Sequence, residues 1–199
     1  MLDWIKEGKV GDWSVEHFKI SKTEAALYLI SCYGSYEIPP APGEYTRLMH
    51  KKRGLIMSDT RQELFDLYDF IKSVKQYRTR LIHINGLGLG IFAKAALDLG
   101  CCVQVIEIDP DVVELVGSQI SPLFPDTLEI IQADALEWKP PKGLTFGVVW
   151  HDIWDVASID NWEEYKLLMR RYGRKTSWQG AWARERLLRE KRSEYYSLW

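Results

Sequence analysis

Apolar positions along this chain change their rhythm part-way. Just before residue 80 they recur at helical spacing, in the stripe Leu64, Leu67, Ile71 and Val74 of a helix that Thr60 can cap, with Glu63 at capping-box distance. From Leu81 the pattern becomes short unbroken apolar runs alternating with helical segments. Leu81–Asn85, Val103–Ile108, Leu128–Ile131 and Phe146–Trp150 read as strands one to four. Ile91–Leu99 is a helix entered through glycines; Asp111–Ile120 is one entered through Pro110 and stopped by Pro122. Strands that are apolar throughout are buried on both faces, so the pattern predicts a parallel sheet with right-handed crossovers.

Ahead of this unit, Trp13, Val15 and Ile20 sit in an extended stretch, and Ser21 with Glu24 boxes the start of a helix carrying Ala25 to Ile30. Pro39-Pro40-Ala41-Pro42-Gly43 is a loop. Tyr45–Met49 and Leu55–Met57 then form a hairpin with basic residues and Gly54 between them. The expected division is an N-terminal extension over 1–76 and a sheet domain over 77–199. After Trp154 no further strand is legible. Asp160 caps a helix carrying Trp162, Tyr165, Leu168 or Met169, and Tyr172, closed by Gly173, and Ser177 caps a last helix to about Tyr196. The fold expected is α/β, Rossmann-like, in the order 3-2-1-4, truncated on the strand-four side. Its open edge needs cover from the C-terminal helices, the hairpin or a second subunit, which makes a homodimer an expectation.

Composition changes this picture little. A net charge of −2 over 199 residues gives no global argument for nucleic acid. Cys32, Cys101 and Cys102 are odd in number, two are adjacent, and no metal spacing links them to histidines, so buried thiols are expected and neither a disulfide framework nor a metal. The first residues lack the apolar core of a signal peptide and no run is long enough to span a membrane, so the expectation is a cytoplasmic protein without a membrane partner. One local bias stands out. From Lys166 onward ten cations face three acids, 10 − 3 = +7, interleaved with Trp178, Trp182, Tyr195, Tyr196 and Trp199. Such a tail either tracks phosphates and stacks bases or packs as a helix; packing is preferred.

The candidate chemistry lies at the ends of the four strands. Asn85-Gly86-Leu87-Gly88-Leu89-Gly90 is a glycine loop after strand one, where missing side chains let a ligand approach the backbone. Ile91 follows, so the dinucleotide pattern GxGxxG is unmet, and no Lys-Ser or Lys-Thr makes it a phosphate loop. Glu107, about twenty residues on, can accept both ribose hydroxyl protons. Asp109, before Pro110, is mainly a helix cap. Asp134 after strand three can accept an adenine amino hydrogen, and Ala135 offers a backbone donor. His151-Asp152 ends strand four. Asp152 can take a proton, hold an amine or bind a cofactor's amino group; His151 is a second base or points away; Asp155 is an acceptor contact or a surface acid.

In this order the motifs resemble those of the class I S-adenosylmethionine (SAM)-dependent methyltransferases. The closer resemblance, over residues 44–156, is to the spermidine-synthase-like branch, which similarly carries a hairpin before the sheet. Its EIDxxVIE segment looks like Glu107–Glu114, and its D-x-x-D looks like Asp152-Ile153-Trp154-Asp155. The resemblance implies SAM as cofactor and S-adenosylhomocysteine as product. It implies a cofactor site of Asn85, Gly86, Gly88, Gly90, Glu107, Ile108, Asp134 and Ala135, and reacting-centre residues Asp152, His151 and Asp155. The GGGDGG run of the aminopropyltransferases is here a leucine-containing GxGxG loop, and strands five to seven are not found. The function expected is methyl transfer by in-line displacement to an unassigned small-molecule or nucleic-acid acceptor. The alternatives are aminopropyl transfer to a polyamine and a non-catalytic SAM-binding or nucleic-acid-associated module. Compact chains of this kind also resemble phage or prophage accessory proteins.

Overall fold

In the computed structural model, which describes residues 2–32, 38–77 and 80–197, the chain opens with antiparallel strands β1 (Gly8–Val10) and β2 (Trp13–Ile20). Ser21 caps helix α1 (Lys22–Ser31) through the reciprocal box with Glu24. The expected hairpin, β3 (Gly43–His50) and β4 (Gly54–Ser58), is half of a larger element, because β2 pairs with β3 over its whole length. The result is a four-stranded antiparallel sheet, β1-β2-β3-β4. Its inward residues Trp13, Val15, Leu48 and Met57 join the same apolar core as the rest of the chain.

Helix α2 (Arg61–Gln76) leads into the second sheet. Thr60 is its N-cap but makes no side-chain capping bond. Of the expected stripe, Leu67, Ile71 and Val74 face the core, Leu64 is exposed, and Phe70, outside the stripe, is the fully buried residue of the helix. The parallel sheet comprises β5 (Leu81–Asn85), β6 (Cys102–Glu107), β7 (Leu128–Gln132), β8 (Phe146–His151) and β9 (Thr176–Ala181), in the order β7-β6-β5-β8-β9. Helix α3 (Ile91–Asp98) follows β5. The stretch after β6 is not one regular helix; α4 (Pro110–Val112), a π turn (Val113–Gly117) and α5 (Ser118–Ile120) run on one from another. Phe70, Phe92 and Trp150 fill the space between α2, α3 and the sheet, with Trp150 stacked on Phe92 at 4.7 Å between ring centres.

The largest correction is at the C-terminal end. The sheet is not truncated at four strands: Thr176–Ala181 pairs with β8 in parallel register, Val148 beside Trp178 and His151 beside Ala181. Ser177 is therefore in a strand and caps nothing. The last helix is α7 (Arg184–Ser197). Thr-Ser-Trp-Gln-Gly-Ala has no apolar run, so its strand character comes from the partner edge it extends and from Trp178 lying parallel to Trp150. Asp160 is not the cap of α6 (Trp162–Tyr172); Ser158 caps a short 3₁₀ turn leading into it. Tyr165, Leu168 and Tyr172 of α6 cover the other sheet face with Phe146 and Val149. Of the three cysteines only Cys101 is buried; Cys102 is exposed. Trp199 lies outside the described residues, as do the side chains of Tyr195 and Tyr196.

Candidate functional site

The parallel strands all end on one side, and the ladder continues one residue past the ends of β5, β7, β8 and β9. Gly86 N–H donates to Ile106 O (2.8 Å), Ala133 N–H to Glu107 O (2.9 Å), Asp152 N–H to Asn85 O (2.7 Å) and Trp182 N–H to His151 O (2.9 Å). Backbone pairing thus fixes the rim on which the candidate residues sit. Above it is a cavity of about 360 Å³, at the lower end of the range for small-molecule sites. Gly86, Gly88, Glu107, Ile108, Asp134, Ala135, Asp152 and Asp155 all line it.

Two glycines make the floor. Gly86 has φ +96°, and a Cβ there would overlap the carbonyl of Asp152, so the tops of β5 and β8 approach as closely as they do only because the residue has no side chain. Gly88 has φ +51° and lies against the sulfur of Met57, which also accepts the Leu89 N–H at 3.3 Å. Glu107 is held by two backbone donors, Leu87 N–H to Oε2 (2.8 Å) and Asp109 N–H to Oε1 (2.9 Å). Burial pushes its carboxyl above the usual range, against the pull of these N–H groups. Asp134 Oδ1 accepts Leu136 N–H at 2.7 Å, and Oδ2 carries no hydrogen bond among the described residues. Asp109 caps α4 through Asp111 N–H, as its place before Pro110 implies, and its other oxygen accepts the Trp13 indole N–H at 2.8 Å.

The N-terminal sheet forms the opposite wall with Trp13, Leu48, Arg53, Ile56 and Met57. Arg53, from the β3–β4 turn, donates to Asp155 Oδ2 at 2.5 Å and lies 4.6 Å over the Trp13 ring. A strap of Asp155, Arg53, Trp13 and Asp109 therefore crosses the middle of the rim, from the end of β8 to the end of β6. Trp154, Glu164 and Trp182 complete the lining, with Trp154 donating to Glu164 (2.6 Å) and stacked on Tyr165 at 3.6 Å. Six carboxylates line the space against one cation, Arg53. Nothing in the sequence marked Trp13, Met57 or Glu164 for this place; the one relevant signal was the basic turn of the hairpin.

Three expected members do not line the cavity. Gly90 is the left-handed N-cap of α3 and packs against Trp4. Asn85 and His151 point into the opposite sheet face, both fully buried. Asn85 Nδ2 donates to His151 Nδ1 (2.7 Å), and His151 Nε2 faces Gln179 Oε1 (3.4 Å). Tyr172 Oη and Gln104 Oε1 close the chain on His83 at 2.8 and 3.0 Å. Burial lowers His83 to about 4 and His151 to about 3, so both rings are neutral at pH 7. The face reversal follows from strand pleating: Asp152, one residue on, is at the cavity. Among the described residues no cluster of His, Cys, Asp and Glu could hold a metal ion, and no helix is long and apolar enough to cross a membrane.

No family model and no curated protein matches the sequence. Solved structures share parts of the fold. A candidate RNA methyltransferase of Pyrococcus horikoshii is 14% identical, with 65% of this chain and 64% of that one covered at a TM-score of 0.48. A candidate caffeoyl-CoA O-methyltransferase of Staphylococcus aureus is 15% identical over 56% and 52%, at 0.46. A glycopeptide N-methyltransferase solved with S-adenosylhomocysteine is 15% identical over 56% and 47%, at 0.44. The chain thus spans about half to two thirds of the length of these proteins.

Proposed function

We propose that the protein is a SAM-dependent methyltransferase. The observation that carries this is the convergence of Gly86, Gly88, Glu107, Asp134 and Asp152 on one cavity at the carboxyl ends of the strands. The donor set fits the cofactor. Bare backbone at Gly86 and Gly88 leaves room for its amino-acid arm, and Glu107 keeps lone pairs for the ribose hydroxyls while two N–H groups hold it in place. Ile108, exposed beside Glu107, flanks the base, and Asp134 Oδ2 with the Ala135 N–H meets its edge. The excess of carboxylates suits a ligand with an ammonium and a sulfonium. Bound there, the cofactor supplies an electrophilic methyl group on sulfur.

The work left to the protein is placement and exclusion of water. The N-terminal sheet and the Arg53–Asp155 strap cover the side of the cleft away from the parallel strands. Asp152 holds the cofactor's amino group or receives the acceptor's proton. His151 takes no part in this reading, since its ring is buried on the far face. Titration calorimetry with SAM and S-adenosylhomocysteine tests the proposal, with radiolabelled methyl transfer into fractionated lysate to find the acceptor. Heat with both, lost in Glu107→Ala, is the expected result; no heat with either sinks it.

A second reading is aminopropyl transfer, the activity of the spermidine-synthase-like branch. It is favoured by the antiparallel sheet against the cleft and by both aspartates of Asp152-Ile153-Trp154-Asp155 lining it. Incubation with decarboxylated SAM and putrescine, followed by mass spectrometry, separates the two.

A further inference from the structure

Arg171 sits in the last turn of α6 and does not line the cavity. Its guanidinium is nevertheless committed to the loop that carries Asp134. Nη1 donates to Ala135 O (2.7 Å) and Trp138 O (2.8 Å), and Nη2 donates to Leu136 O (2.5 Å). The N–H groups of the same turn run the other way: Leu136 N–H to Asp134 Oδ1 (2.7 Å), and Glu137 and Trp138 N–H to Asp134 O (3.0 and 2.7 Å). Its donors converge on Asp134 and its acceptors on one cation. Ala135 is buried and Arg171 half-buried, so carbonyls released from the guanidinium would not all find water in the same conformation.

We propose that Arg171 is the positioning residue for the adenine end of the site, selecting the base without touching it. The inference rests on the reading of Asp134 and Ala135 as adenine contacts. A planar fork reaches three carbonyls from two nitrogens fixed in one plane, a geometry that a lysine ammonium on a flexible stem does not reproduce. With the turn clamped, Asp134 Oδ1 stays with Leu136 and Oδ2 is presented at one fixed place. A fixed carboxylate accepts from the adenine 6-amino group and repels the carbonyl oxygen that hypoxanthine carries there. A loosened turn keeps the carboxylate but loses its aim, so discrimination between the two bases falls along with affinity.

The test titrates wild type, Arg171→Gln, Arg171→Lys and Glu107→Gln with S-adenosylhomocysteine and S-inosylhomocysteine, with circular-dichroism melts showing each protein folded at the titration temperature. Both Arg171 variants are expected to bind S-adenosylhomocysteine about tenfold more weakly, the equivalent of a lost hydrogen bond to a charged group. The inosine analogue should change less, so their affinity ratio collapses. Glu107→Gln should weaken both nucleosides and keep the ratio. If Arg171→Gln does not fold, Arg171→Lys carries the measurement. An unchanged ratio in folded Arg171→Lys overturns the positioning role and leaves the cofactor reading standing. Wild-type protein that binds neither nucleoside overturns the cofactor reading and the inference with it.

Discussion

The cavity rim and the buried polar row beneath it are one residue apart in sequence and opposite in character. Gly86 and Asp152 face the cavity; Asn85 and His151 face the core, where amide, imidazole and phenol satisfy one another. On the rim, Glu107 and Asp134 are held by backbone N–H groups. In the row, side chains bond one another, and burial keeps both histidines neutral at pH 7. The difference teaches that residue type at the ends of β5 and β8 does not distinguish a cavity-lining group from a core one. Pleat parity there does, because a shift of one position exchanges the faces.

The hardest blow to the rim is Gly86→Val. It forces a side chain into the Asp152 carbonyl at a positive φ, so it should lower stability by at least about 3 kcal/mol and abolish S-adenosylhomocysteine binding, read by urea denaturation and calorimetry. The row should answer to pH instead. Both folded-state histidine values lie below the ordinary 6.5, so the unfolded chain binds protons first as pH falls. Stability is intact above about pH 6.5 and is lost progressively down to about 4 for His83 and 3 for His151, by up to about 1.4 kcal/mol per pH unit for each. Urea midpoints between pH 7 and 4 check the slope, which His151→Gln should flatten; a flat wild-type profile would break the comparison.

A paired measurement sharpens it further. Glu107→Gln should weaken S-adenosylhomocysteine binding ten- to a hundredfold, about 1.5–3 kcal/mol, and cost about 1 kcal/mol of stability, because its amide NH2 meets one of the two backbone N–H groups that the carboxylate accepts. His151→Leu should act on stability alone, costing about 1–3 kcal/mol by stranding Asn85 and leaving affinity within about twofold. The smallest effect belongs to the strap. Arg53→Ala removes a half-exposed ion pair and a cation–π contact, together worth about 1 kcal/mol, and should move the melting temperature by only a few degrees.

Much of this was legible beforehand. The runs at Leu81, Val103, Leu128 and Phe146 are strands because apolar β-branched segments bounded by glycine and proline have few other solutions. The capping box at Ser21 is present as written. Asp134, Glu107 and Asp152 were picked out by order and spacing, which the parallel topology turns into a common rim. The fifth strand was hidden because Thr176–Ala181 is polar, and an edge position needs only one paired side. Arg171 was hidden as well: it read as one of ten tail cations, and only the path of α6 brings it to the 135–138 turn.

The sequence by itself determined the parallel core, the glycine bend after β5 and the acids that follow the next strands, since local periodicity and side-chain chemistry act over a few residues. Tertiary structure alone decided which of two adjacent strand-end residues reaches the cleft, that the N-terminal sheet forms its far wall, and that a strand rather than a helix follows α6. Those outcomes depend on long-range pairing and on which surfaces bury one another, quantities that no short stretch of chain encodes.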